Sequence, residues 1–586
     1  MQIQKLFTLG EKEKEKEKNF EKFDKKLSTK LAAAANAKSW SDLLPIIKDI
    51  YSHLKVNFEY DFNNISDKLL LGKRLAQVLN PECPSGLHDV TLDVYEILLR
   101  NIITTYKDKL MDNLHIYCYG LFPFFPNANI ANKQKFLEKI VKGIFYKLNN
   151  IELKLCLPGL LSSLIPGLDD NNEETTKNIY STLDELARKD EHNFFGVYWM
   201  LLLRCKHLRN SGIKYLLEKV IKYDEIKSQD ETTRIATIEK YFPNINTTVV
   251  NALREIIKET DIPVVRNGMD FIMTRLPLTK DNTMITDEAK INLINSALNL
   301  FVKNDYSTIR RLKSWILGLK NQDDDVDYNS DDMKYKMGLV ITAFKNIFKS
   351  EKNLDKDVIK NNISIFERFL DSDEEFVNKI LSSTAFPALK SVVNYWEKNL
   401  DSSEEAMNEP IISQITKFFN KNEKYFECLW ESLASSIIIN PDQLKNIDDI
   451  ISPLKFCLIY IYIETNEKRI KYYIPIITKI LSQIKQIPLK REEFKYLKKV
   501  VMITLAYTKT LQETKFQEKN EETEEEDVLS NFKNSKGSSN SEVLKLTGKD
   551  NLPFIATPSM RKSALNELIN EDKDNEVEEV CLTDVY

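Results

Sequence analysis

The sequence predicts an all-α fold, an α-solenoid of stacked helices followed by a disordered acidic tail. Three observations carry this. Apolar residues recur at spacings of three and four along most of the chain, which places one apolar stripe on each helix. No comparable series of alternating strand patterns interrupts them. The 586 residues include only 14 glycines, so loops, bulges and close backbone approaches that rely on positive φ have few places to form.

Residues 1–38 are a charged lead, flexible or helical, in which Glu and Lys alternate from Glu11 to Lys18; such a run is usually a solvated face. From Ser39 the stripe Trp40, Leu43, Leu44, Ile47, Tyr51, Leu54 marks the next helix, with Pro45 expected in its first turn, where a missing N–H costs little. Ser66 is the expected cap of a helix carrying Leu71, Leu75, Val78 and Leu79, stopped by Pro81 and Pro84. Further stripes are Leu87, Val90, Val94, Leu98, Ile102; Phe136, Ile140, Ile144, Leu148; Ile179, Leu183, Leu186; and Val249, Leu253, Ile256, Ile257. A helix with one apolar stripe cannot bury it alone, so tandem helices stack on their neighbours, giving a HEAT or armadillo-like array. No exact repeat at a fixed period is present, and an irregular helical bundle gives much the same pattern.

The segment 321–332, NQDDDVDYNSDD from Asn321, breaks the apolar pattern and reads as an acidic linker. Helical repeats resume over 333–511, around Met337–Phe348, Ile359–Leu370, Phe376–Trp396, Ile411–Phe419, Phe426–Ile439 and Val500–Leu511. Ile451–Ile463 is dense in β-branched and aromatic residues, which suits a fully buried helix or an isolated strand. Residues 512–586 turn acidic and Gly/Ser/Asn-rich, as disordered segments do. Within them, 557–570 allows a short helix with Met560, Leu565, Leu568 and Ile569, a local amphipathic turn or a docking peptide.

Composition excludes several function classes. Hydrophobic residues make up 42% and charged residues 29%, and the formal charge of -5 with a pI near 5.9 gives no global reason to bind nucleic acid. Seven scattered cysteines without close pairs fit a reducing cytosol better than a disulfide framework. No secretory leader is expected, because MQIQKLFTLG runs directly into the charge repeat. The most apolar candidates for a membrane span are Ile151–Leu168, which contains Glu152, Lys154 and two Pro-Gly steps, and Phe194–Leu203, which is too short; both read as buried helices.

The signatures of catalysis are missing from the sequence: no G-x-S-x-G elbow, no H-E-x-x-H and no EF-hand loop. Thr547-Gly548-Lys549-Asp550 fails as a phosphate loop, with Val543 at the first glycine position and Asp550 in place of the hydroxyl. His115 and Cys118 share a helical spacing without a second pair for zinc, and read as a core or capping histidine beside a buried thiol. Asp169 and Asp170 are expected to complement the N-terminus of the following helix. No enzyme, cofactor, metal site or nucleic-acid partner is therefore expected. Lys73, Arg74, Arg310 and Arg311 lie on helices whose apolar faces point elsewhere. They read as solvated charge or inter-repeat ion pairs, with contact to an acidic partner or anionic lipid as the functional reading.

Several strings go beyond composition. LGKRLAQ (Leu71–Gln77), PSGLH (Pro84–His88) with VYEILL from Val94, GLFPF (Gly120–Phe124), LPGLLSSLIPGLDD (Leu157–Asp170) and RRLKSWILG (Arg310–Gly318) occur in one order, joined by FFGVYWMLLL (Phe194–Leu203) and VVRNGMDFI (Val264–Ile272). Together they resemble the N-terminal domain of the Dopey family over residues 39–320. In physical terms they are cores and corners: Gly72 for close packing, Pro84 and Gly86 for a turn, Trp315 for a helix interface. The resemblance implies a non-enzymatic scaffold or adaptor in transport between endosomes and Golgi, cytosolic and peripherally attached to those membranes. Its implied partners are an Arf-exchange-factor-like Golgi scaffold, an aminophospholipid flippase and a kinesin light chain. A generic cytosolic α-solenoid adaptor for a peptide or motor protein is the alternative. Dopey proteins are generally several times longer, with a leucine-rich C-terminal region, whereas this chain ends after the acidic tail. Asp89, directly after PSGLH, differs from the basic or neutral polar residue expected there, and no role is carried over to it.

Overall fold

A computed structural model describes residues 2–37, 39–105, 109–303, 305–319, 326–349, 355–370, 374–399, 409–437, 448–461, 463, 465–484 and 498–511. Helices account for nearly all of them, and no strand occurs among the described residues. The chain divides into two units. Unit 1 comprises Met1–Ala297 with Asp305–Asp324, and unit 2 comprises Leu298–Asn304 with Asp325–Tyr586. The expected tail 512–586, its short helix 557–570 and the first part of the acidic linker lie outside the described residues.

Unit 1 runs through α1 (Gln2–Asn36), α2 (Trp40–Val56), α3 (Lys68–Val78), α4 (Ser85–Thr105), α5 (Lys109–Phe124), α6 (Ile130–Lys135), α7 (Asn150–Leu164), α8 (Glu173–Lys189) and α9 (Glu191–Arg204). It continues with α10 (Arg209–Lys219), α11 (Tyr223–Lys227), α12 (Glu231–Tyr241), α13 (Val250–Lys258), α14 (Ile262–Arg275), α15 (Asp287–Leu298) and α16 (Tyr306–Leu317). Helices pack on the next but one: α2 on α4, α3 on α5, α5 on α7, α7 on α9 and α14 on α16. That alternation is the solenoid pattern, in which each helix buries its stripe between neighbours of its own layer and the other.

The charged lead is helical. Phe23, Leu27, Leu31 and Ala34 are buried, and the Phe23 ring stacks on His53 of α2 at 4.9 Å. Four local readings need correction. Pro45 sits in the second turn of α2, since the helix starts at Trp40 behind the Ser39 cap, and Trp40 itself points outward. Ser66 does not cap α3; its amide and hydroxyl bond Asp24 of α1, and Asp67 takes the cap position without a side-chain bond. Gly86 makes no turn, being the second residue of α4 with open space around its Cα. The stripe from Phe136 to Leu148 is buried throughout, but its backbone is a π-helical stretch (Phe136–Lys142) and then a 3-10 turn (Phe145–Lys147).

The apolar Ile151–Leu168 stretch is α7 and a following 3-10 turn. A capping box starts it: the Glu152 amide donates to Asn149 Oδ1 at 2.9 Å and the Asn149 amide to Glu152 Oε2 at 3.0 Å. By length and composition Asn150–Asp169 would cross a membrane, yet 61% of its most apolar window is buried in the protein, as in a core helix.

Unit 2 contains α17 (Asp331–Lys349), α18 (Lys356–Leu370), α19 (Glu374–Asn399), α20 (Pro410–Asn420), α21 (Glu423–Ser436), α22 (Asp448–Tyr460), α23 (Asn466–Ile484) and α24 (498–511). The alternation persists: α17 packs on α19, and α21 on α23. Of the Ile451–Ile463 stretch, Ile451–Tyr460 falls in α22 and is helix, not strand, and Ile451, Leu454, Phe456, Cys457 and Ile459 are all enclosed by helical neighbours. The periodicity reading passed over α23, whose Pro475 and clustered tyrosines blur the stripe.

Candidate interaction surface

Three of the family-like strings meet on one layer of unit 1. Gly72, in LGKRLAQ on α3, lies so near α5 that an added Cβ would stand 2.7 Å from the Ile116 carbonyl oxygen. On α5, Gly120 of GLFPF is against Ala76, and on α7, Gly159 of LPGLL is against the Phe122 ring, each leaving 2.3 Å for a Cβ. Absent side chains let the helices approach until their backbones nearly touch, so these glycines set the stacking distance. The same logic recurs where Gly268 of VVRNGMDFI meets Ile256 and Gly212 meets Leu202.

The outer side of this layer is a groove of about 770 Å³ between α3 and α5, lined by Leu69, Lys73, Gln77, His115, Tyr119 and Pro123 among others. Leu69 is 73% and Tyr119 81% exposed, and on the adjoining α7 Ile151 (78%) and Leu155 stand exposed one turn apart. Single exposed apolar side chains are ordinary; four on α3, α5 and α7 make this layer a candidate interaction surface. Lys73 and Lys154 are exposed on these helices and make no ion pair or hydrogen bond among the described residues. His115 is no core histidine: it is exposed and lines the groove, while Cys118 three residues on is buried, which raises its thiol well above the usual range.

The four basic residues singled out in the sequence separate. Lys73 is displayed in the groove. Arg74 turns along α3, where Nη1 donates to Gln77 Oε1 at 2.6 Å and Nε is buried without a partner. Arg310 is exposed without an ion pair among the described residues. Arg311 bonds Asp270 through Nε at 2.7 Å and Nη2 at 3.3 Å, joining RRLKSWILG to VVRNGMDFI. Trp315 of the same string is buried and donates to the Leu276 carbonyl at 3.0 Å. Sequence periodicity did not single out Tyr119, Ile151 or Leu155, since apolar residues outside the stripe look like core until the neighbours are known.

The acid pair divides. Asp170 Oδ1 accepts the amide of Asn172, the N-cap of α8, at 3.0 Å, as expected of a carboxylate at a helix start, whereas Asp169 turns to α10. Burial pushes the Asp169 carboxyl up, but hydrogen bonds from Lys214 (2.7 Å), Ser211 (2.6 Å) and Asn210 (3.0 Å) outweigh it and hold it below the ordinary carboxylate range. Lys133 at 2.6 Å depresses Asp170 likewise. Asp89 is bonded by Lys135 at 2.7 Å, one rung of a ladder in which Lys135 and Lys139 also reach Asp93, and Lys139 reaches Glu96. Among the described residues no group of three His, Cys, Asp or Glu side chains is placed to hold a metal ion.

Comparison with known proteins places this layer. The family described as Dopey, N-terminal, matches residues 17–321. Protein pad-1 of Caenorhabditis briggsae is 26% identical over 306 residues, 52% of this chain and 12% of pad-1. The DOP1 homolog of Drosophila melanogaster is 26% identical over 284 residues, 48% of this chain and 10% of that protein. The chain thus matches only about a tenth of the length of these relatives. A crystal structure of SYS-1 aligns over 83% of this chain and 94% of its own, but at 11% identity and a TM-score of 0.23 the likeness bears no weight. With more than half of its length matched, the chain belongs to the Dopey family, through that family's N-terminal domain.

Proposed function

We propose that this protein is a non-catalytic helical scaffold in vesicle-mediated transport between endosomes and Golgi, cytosolic and peripherally attached to those membranes. It acts with an Arf-exchange-factor-like Golgi scaffold and an aminophospholipid flippase, and a kinesin light chain is a further partner. The observation that carries the reading is the Dopey N-terminal match over residues 17–321. The apolar groove on the helices that hold two of the family-like strings supports it, since a scaffold needs a surface that water does not satisfy.

A native pull-down of the tagged chain from its own cells, with partners identified by mass spectrometry, tests this. Recovery of the exchange-factor-like scaffold or the flippase is the expected result. Their reproducible absence, with the bait folded and abundant, overturns it in favour of a cytosolic adaptor for a peptide or motor.

A further inference from the structure

The groove between α3 and α5 has walls that select a class of occupant. Gly72 faces Ile116 and Ala76 faces Gly120, so the two helices run parallel, and the short side chains at their contact leave the cleft open above it. Leu69 and Tyr119 stand largely exposed on opposite walls, with Pro81 and Pro123 toward the far end. Backbone groups in a helix interior are paired within the helix, so neither wall offers the free strand edge that an extended peptide needs. Recognition falls to side chains alone. That suits a guest whose own backbone is already paired, a helix laid lengthwise with its apolar residues on one face. The 11 residues of α3 run about 16 Å, which matches roughly three turns of such a guest.

Charge gives the guest its sign. Lys73 is exposed on the α3 wall and makes no ion pair or hydrogen bond among the described residues. No Asp or Glu lines the groove among the described residues; Asp112 of α5 and Glu82 beyond α3 are exposed but do not line it. On the adjoining α7, Lys154 is likewise exposed beside Leu155. A cation standing unpaired on an apolar wall attracts an acidic side chain and repels a basic one. We infer, on the reading of this chain as a scaffold, that the groove receives a short amphipathic helix of a partner protein, its apolar face between Leu69 and Tyr119 and an acidic residue against Lys73. A concave slot favours such a helix over a membrane, which meets a protein as a plane.

Selection of displayed random peptides of about 14 residues, some four helical turns, on the immobilised full chain tests this. Peptides held by the parent and lost at least about ten-fold on a Tyr119→Asp variant, which removes an aromatic anchor, are expected to repeat apolar residues at helical spacing and to carry net negative charge. Lys73→Glu, at an exposed position, is expected to turn that preference toward basic peptides. Equal thermal unfolding of parent and variants checks folding, and Lys73→Glu alone decides if Tyr119→Asp unfolds. Groove-dependent peptides that are proline-rich, lack a helical period or are basic on the parent overturn the inference, as does a folded Tyr119→Asp variant that releases none. So does loss of phosphatidylserine-vesicle binding in these variants without any groove-dependent peptide, which identifies a membrane as the occupant. Acidic helical peptides found beside a pull-down that lacks the exchange-factor-like scaffold and the flippase support the groove and overturn only the proposed partners.

Discussion

Ala76 and Gly120 face each other across α3 and α5 so closely that a methyl group on Gly120 would stand 2.3 Å from the Ala76 Cβ and 2.4 Å from its Cα. Neither contact is with a flexible side-chain end, so the helices themselves must move apart. Gly120→Ala is therefore expected to cost about 1–3 kcal/mol, the range for overpacking a filled interface. Gly86→Ala, where nothing lies within 4 Å, is expected to be neutral or to stabilise by up to about 1 kcal/mol, as glycine removal from a helix does. Urea unfolding of the two variants against the parent measures both, and equal losses would sink the explanation.

Arg209 is a buried cation of unit 1. Its guanidinium donates to the Leu202 carbonyl at 2.9 Å, the Leu203 carbonyl at 3.0 Å and the buried Glu259 carboxylate at 2.5 Å. Arg209→Met takes from the Glu259 carboxylate its buried cationic partner, whereas Lys206, at 3.2 Å, is largely exposed. A loss on the order of 3–5 kcal/mol is expected, as when one partner of a buried pair is removed. A loss under 1 kcal/mol in chemical denaturation would place the pair in water.

Acid should weaken unit 1 through Asp169 and Asp170. Both carboxyls are held below their ordinary range when folded, so the unfolded chain takes up protons first as pH falls. Their contribution is complete above the unfolded value of about 4 and is lost as pH drops through the lower folded values. Asp170→Asn is expected to be less stable than the parent near neutrality and to converge with it toward pH 3. A constant gap across that window would mean that Lys133 does not act on the carboxylate charge.

Thiol reactivity separates the cysteines by burial. Cys118, Cys156 and Cys457 are enclosed, and burial raises each thiol, Cys156 to about 12. The thiolate is the reactive form, so these positions resist an aromatic disulfide reagent until the chain unfolds. Among the described residues Cys205 and Cys428, each only half-buried, are expected to react ahead of these three. Mass mapping of the labelled native chain gives the order directly.

The groove can be altered without touching the core. Tyr119→Asp with Leu69→Asp changes two exposed side chains and is expected to shift stability by no more than about 0.5 kcal/mol each. Partner recovery in the pull-down is expected to fall at least several-fold. Unchanged recovery with a folded variant would move the interaction elsewhere on the chain.

Periodicity by itself determined many of the helices, although not α23, because an apolar residue every three or four positions has one low-energy solution once its stripe must leave water. Leu71, Leu75 and Val78, or Ile179, Leu183 and Leu186, are core for that reason alone. The family-like strings were legible too, although their physical meaning was not. Only the tertiary structure showed that Gly72, Gly120 and Gly159 lie on three successive helices of one layer, since glycine in a sequence does not say what it lies against. Caps and ion pairs depended on the stack in the same way: Ser66 had Asp24 as a nearer partner than the next helix, and Arg311 had Asp270. The exposed apolar surface was least legible of all. Tyr119 and Ile474 sit in helices as apolar as their buried neighbours, and whether a side chain is covered is decided by the helix beside it and not by its own sequence.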